Sequence, residues 1–96
     1  MIKHIVMWKI KEENKEASAL KIKTDLEALK SEIKEIADIE VGIDINEIEA
    51  NYDVILVSTF KTQADLDAYQ VHPMHKAVAV FIKSVATSRV AVDYLV

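Results

Sequence analysis

Ile2-Lys3-His4-Ile5-Val6-Met7-Trp8-Lys9-Ile10 reads as a strand with two unequal faces. By the two-residue period, Ile2, His4, Val6, Trp8 and Ile10 share one face, and Lys3, Ile5, Met7 and Lys9 share the other. The first face is apolar apart from one imidazole. The second has an apolar centre between two lysines. A strand that is apolar in the middle of both faces is covered on both sides. One cover is expected from the chain's own helices. The other is expected from a second copy of the chain, with Ile5 and Met7 at the dimer interface.

The remainder of the sequence supplies what such a strand needs. Ninety-six residues, 1–96, make a single domain. A composition of 51% hydrophobic and 29% charged residues, with one glycine and one proline, describes a compact fold and not a disordered chain. A net charge of −4 argues against nucleic acid as a partner, because binding it calls for a basic face. Without cysteine there are no disulfides and no thiolate metal centres. No apolar run reaches the ~18 residues of a membrane span. The first residues lack a signal peptide's apolar core and cleavage site, so a cytoplasmic location with no membrane partner is expected.

Asn14 is a suitable N-cap for a helix running to about Ile36, and Ile22, Leu26, Leu29, Ile33 and Ile36 draw one apolar stripe along it. Residues 39–48 alternate as a one-sided strand. Residues 52–60, rich in β-branched and aromatic side chains, read as a central strand joined to it in a hairpin. Thr62 and Asp65 form a capping pair for a helix over 63–71. Residues 74–85 are apolar on more than one side and are expected to be a well-buried helix. Residues 87–96 alternate as a last strand, with Arg89 and Asp93 on its less apolar face, able to pair with each other or across a dimer. The predicted fold is α+β, a ferredoxin-like β-α-β-β-α-β unit: a four-stranded antiparallel sheet with its helices on one face, two such sheets closing a dimeric α/β barrel.

Chemistry concentrates at Tyr69-Gln70-Val71-His72-Pro73-Met74-His75. Pro73 ends the helix before it and suits the first position of the next. His75 then lies in a first helical turn, where the helix dipole disfavours its protonated form. If the helices cover the His4 face of the first strand, His4, Tyr69 and His75 converge at one end of an apolar interior. Alternatives remain: His4 as a buried histidine satisfied by one hydrogen bond, His72 as a local cap, or zinc or iron held by the three imidazoles. Tyr52, Phe60 and Tyr94 are core or interface aromatics. The sequence has no serine-nucleophile motif and no glycine-rich phosphate loop, and its strands lack the stacking aromatics of RNA-recognition domains.

The opening Lys3-His4, the strand from Tyr52-Asp53 to Thr59-Phe60, and Tyr69-Gln70-Val71-His72-Pro73-Met74-His75 together resemble the stress-responsive dimeric α/β-barrel (Dabb) family over nearly the whole chain. The resemblance implies ferredoxin-like subunits paired sheet to sheet. One plant member, olivetolic acid cyclase, closes a linear polyketide by a cofactor-free aldol condensation. Similarity to it implies catalytic roles for His75, Tyr69 and His4. It also implies a pocket lined by Val6, Trp8 and His72, with Ile22 and Leu26 where that enzyme has aromatics. The expected function is a homodimer with a small helix–sheet pocket that binds a small apolar or carbonyl ligand. The alternative is a cofactor-independent acid–base enzyme, cyclase-like or, as a weaker variant, a monooxygenase. No cofactor and no metal is expected.

Overall fold

A computed structural model describes residues 1–96. The strands are β1 (Ile2–Ile10), β2 (Asp38–Ile43), β3 (Val54–Phe60) and β4 (Ala86–Leu95). The helices are α1 (Lys15–Ala28), α2 (Gln63–Val71) and α3 (Pro73–Val85). The sheet runs β2-β3-β1-β4, and every neighbouring pair is antiparallel. This is the expected ferredoxin-like unit, with its second helix broken in two before Pro73. No helix is long and apolar enough to cross a membrane.

β1 has the bounds and the two-sidedness read from its sequence. Its odd face is half-buried and its even face buried. Register extends each face across the sheet, because residues paired across antiparallel strands project to the same side. On the helix side, Ser58, His4 and Asp93 form one row, Leu56, Val6 and Ala91 the next, and Val54, Trp8 and Arg89 a third. On the open side, Val57, Ile5 and Val92 lie abreast, as do Ile55, Met7 and Val90. The core fills the helix side, with Ile22, Leu26, Phe60, Leu66 and Tyr69 at or below 1% exposure. The open side has no cover within the chain, and Val90, Val92 and Tyr94 on it are exposed.

Gly42 occupies the open side opposite Ile55. Its φ is not positive, so no turn geometry calls for glycine there. A Cβ at this position would lie 3.1 Å from Ile55 Cγ2. The missing side chain leaves the floor of a recess of about 480 Å³ between Met7, Tyr52 and Ile55.

Several elements depart from the sequence expectation. α1 ends at Ala28 and continues as a 3-10 turn, Leu29–Ser31, instead of reaching Ile36. All five residues of its stripe are nevertheless buried. Apolar spacing of three and four fits a run of single turns as well as a helix, and Ile33 N–H to Leu29 C=O and Ile36 N–H to Ile33 C=O are such turns. Asn14 sits at the cap position in the left-handed region (φ 55°) and makes no side-chain cap bond. Asn tolerates that conformation better than other non-glycine residues.

β2 stops at Ile43 because β3 begins opposite it at Val54. Ile45 keeps the alternation but has no ladder partner, and it and Ile48, at the end of the expected strand, are both exposed. Tyr52 and Asp53 fall outside β3. There, Asp53 N–H donates to Trp8 C=O at 2.9 Å and the Asp53 carboxylate accepts from Ile10 N–H at 2.7 Å. Thr62 caps α2 as expected, its hydroxyl accepting from Asp65 N–H at 3.1 Å. α3 is less buried than its composition suggests. Only Ile82 is buried, while Val80 is 70% exposed. One face of α3 meets α1 and the sheet, and its second apolar side has no layer above it.

Candidate active site

The break between α2 and α3 places the chemistry. His72 is extended (φ −63°, ψ 134°), as a residue before proline must be. Its Nδ1 accepts the Met74 N–H at 3.1 Å, so this imidazole serves as the N-cap of α3. Pro73 at the start of α3 needs no such partner. One turn of chain then separates Tyr69, which closes α2, from His75, which opens α3.

Tyr69 is completely buried. Its ring lies 4.4 Å from the His75 ring, 5.0 Å from Phe60 and 6.3 Å from His4, the last edge-on. His4, Tyr69 and His75 therefore do come together. The phenol hydroxyl has no hydrogen-bond partner. An unpaired buried donor costs about 1–3 kcal/mol. Burial also pushes the phenol's pKa up, so it remains a donor.

Both flanking imidazoles are oriented through Nδ1. On His75, Nδ1–H donates to Gln70 C=O at 3.2 Å. A carbonyl only accepts, so the lone pair of the neutral ring lies on Nε2. Burial is the main force lowering the His75 pKa, and the positive charge of His4, Arg89 and His72 lowers it further, against the Gln70 bond that raises it. On His4, Nδ1–H donates to the Asp93 carboxylate. The His4 backbone carbonyl accepts from the buried Ser58 hydroxyl at 3.1 Å. The His4 ring is thereby held in place through Nδ1, and its Nε2 forms no hydrogen bond within the chain.

Asp93 was not singled out as a site residue from sequence. Its match to His4 depends on the β1–β4 register, which the pattern of β4 alone does not fix. Of the two pairings open to Arg89 and Asp93, the one with each other does not form, and Arg89 makes no ion pair within the chain.

Val6, Trp8, Ile22 and Leu26 belong to the packed core cluster. The three principal cavities lie elsewhere: the open-side recess, a groove of about 360 Å³ between α1 and the start of α3, and a charged cleft of about 720 Å³ under the 44–53 loop. None is lined by His4, Tyr69, His72 or His75. No three side chains of His, Cys, Asp or Glu gather in a way that could hold a metal ion.

The lowered His75 pKa makes a pH prediction. The folded chain favours neutral His75, whereas the unfolded chain protonates it below the ordinary value of about 6.5. The contribution of His75 to stability is complete above that value and declines as the pH falls toward the lowered folded-state value. Urea midpoints measured at pH 7.5 and pH 5 should show a smaller acid loss for His75→Gln than for the unsubstituted chain. An equal or larger loss in the variant would contradict this sign.

A ferredoxin-like subunit with a histidine–tyrosine cluster under the first strand is the class that fold and site define. The chain belongs to the stress responsive A/B barrel domain family, whose model matches residues 2–96. It is similar to a dimeric protein of unknown function and ferredoxin-like fold from Bacteroides fragilis NCTC 9343. That protein is 32% identical, with 99% of this chain and 95% of that chain covered and a TM-score of 0.91. A dimeric ferredoxin-like protein of unknown function from Thermobifida fusca is 27% identical, with 99% and 90% covered and a TM-score of 0.88. The hydroxynitrile lyase of Passiflora edulis shares the fold at 21% identity, with 99% and 92% covered and a TM-score of 0.85. No curated protein matches the chain.

Proposed function

We propose that two copies of the chain pair through their open sheet faces and that each copy binds a small carbonyl compound at Tyr69. The observation that carries this is the Tyr69 hydroxyl, a buried and unpartnered donor on a ring that two imidazole rings flank. A ligand carbonyl is the acceptor it lacks. The close packing of Val6, Trp8, Ile22 and Leu26 limits the ligand to a few carbons and disfavours a long polyketide. The dimer is supported by the exposed Val90, Val92 and Tyr94 beside Ile5 and Met7, and by relatives described as dimeric. A cysteine-free sequence suits the reducing cytoplasm.

A second reading is a cofactor-independent acid–base enzyme, and the free Nε2 of His75 favours it. His75 would take a proton α to the bound carbonyl, while Tyr69 O–H donates to the oxygen as it becomes an enolate. The Tyr69, His72 and His75 spacing resembles that of olivetolic acid cyclase and supports this chemistry on a smaller substrate. Oxygenase chemistry has no specific support among these side chains.

Methyl levulinate, a small neutral ketone, tests both readings. On titration, the His4 and His75 imidazole NMR signals should shift and saturate, and no shift would sink the binding reading. In D2O the protein should speed exchange of the ketone's α-protons, and His75→Ala should remove about 10²–10⁴-fold of that acceleration. Equal rates for protein and variant would leave binding without catalysis.

A further inference from the structure

We propose that Arg89 recognises an anionic group on the ligand of the Tyr69 site, which makes that ligand a short keto acid with its ketone at Tyr69 and its carboxylate at Arg89. This rests on the carbonyl-binding function proposed above. Arg89 is the only arginine in the sequence. It pairs with Trp8 in the β1–β4 register, so its side chain projects from the helix side of the sheet, the side of the cluster. Its charge is felt at His75. The guanidinium nevertheless forms no ion pair within the chain. Asp93, the acidic residue two positions further along the same face, is engaged by His4 instead.

The spacing also suits such a ligand. Four residues of strand put the Arg89 and Asp93 Cα atoms about 13 Å apart. Between them Ala91 presents only a methyl group. Arg89, Ala91 and Asp93 are all exposed, so this strip of β4 is open to solvent on the side facing the cluster. A ligand a few carbons long lying along it would have one end at an unpaired fork of N–H donors and would direct the other toward the row of His4, whose ring meets the buried Tyr69 ring edge-on. The planar fork of arginine matches a carboxylate in two hydrogen bonds, which a lysine ammonium does not.

Levulinate and its methyl ester share the ketone and differ at the carboxylate, which a methyl group caps and neutralises in the ester, and they test the assignment. Dissociation constants for both, read from the His75 and His4 imidazole signals, should favour the acid by about tenfold, the size of a charge-assisted pair. Arg89→Gln should bring the acid-to-ester ratio close to one, and Arg89→Lys should restore part of it. If the ester binds at His75 and Tyr69 but the ratio is one in the unsubstituted chain, or survives Arg89→Gln, Arg89 has no such role and the carbonyl site stands. If neither compound moves the imidazole signals, the carbonyl site and the role of Arg89 fall together. Light scattering adds one further check: an Arg89→Gln protein that loses the dimer would place Arg89 in the subunit contact and overturn the proposal.

Discussion

Ile5→Glu is expected to abolish the proposed dimer and leave monomer or aggregate. Ile5 lies at the centre of the open side, flanked by Val57 on β3 and Val92 on β4. In a dimer formed through this side, the substitution puts a carboxylate into an apolar contact, where desolvation costs several kcal/mol. A two-fold interface repeats the change on the partner, so the penalty falls twice. Leu20→Glu is the control. Leu20 is 59% exposed on α1, in the helical layer on the other side of the molecule. Light scattering after size exclusion should show a dimer for Leu20→Glu and none for Ile5→Glu. A dimer of ordinary stability in both would remove the open side from the contact.

Tyr69→Phe is expected to move stability and function in opposite directions. Deleting a phenol oxygen that has no partner relieves the ~1–3 kcal/mol attached to a buried, unsatisfied donor. The ring itself stays, with its contacts to Phe60, His75 and His4. The ligand-free variant should therefore melt at the same or a higher temperature. Loss of the one donor aimed at the carbonyl should slow α-proton exchange in methyl levulinate by about 10²–10³-fold if the exchange is catalysed, and should weaken ligand binding in either case. A variant that is destabilised and binds normally would mean that the hydroxyl has an internal partner and no ligand.

The sequence resolved faces better than ends. The period of Ile2 to Ile10 states both faces of β1, and the break at His72-Pro73 states where α2 and α3 divide, because proline geometry is local. Ile45 continues the alternation of β2 past its last partner, since alternation records the chain's own pattern and not whether a neighbour exists. Ile33 and Ile36 keep the α1 stripe after the helix has ended, since their burial depends on direction and not on helix type. At the site, Tyr69 and His75 were legible because only five residues, one of them a proline, lie between them, and His4 because it is the one imidazole on an apolar face. Asp93 was not, since a partner at that distance in sequence is chosen by sheet register. The core placement of the residues expected to line a pocket was hidden for the same reason. It is set by how Val6, Trp8, Ile22 and Leu26 meet in three dimensions.

The pairing of β1 with β4 also has a kinetic side. His4 and Asp93 are 89 positions apart, and Val96 N–H reaches back to Met1 C=O. Contacts between such distant residues are slow to form, because a long loop must close before they return any energy. During synthesis the strand that carries His4 emerges 89 positions ahead of the carboxylate that orients it. A nascent chain can build β1, α1 and the β2–β3 hairpin while His4 still lacks its partner. The oriented imidazole is therefore one of the last features to mature, and it exists only in molecules whose fourth strand has docked.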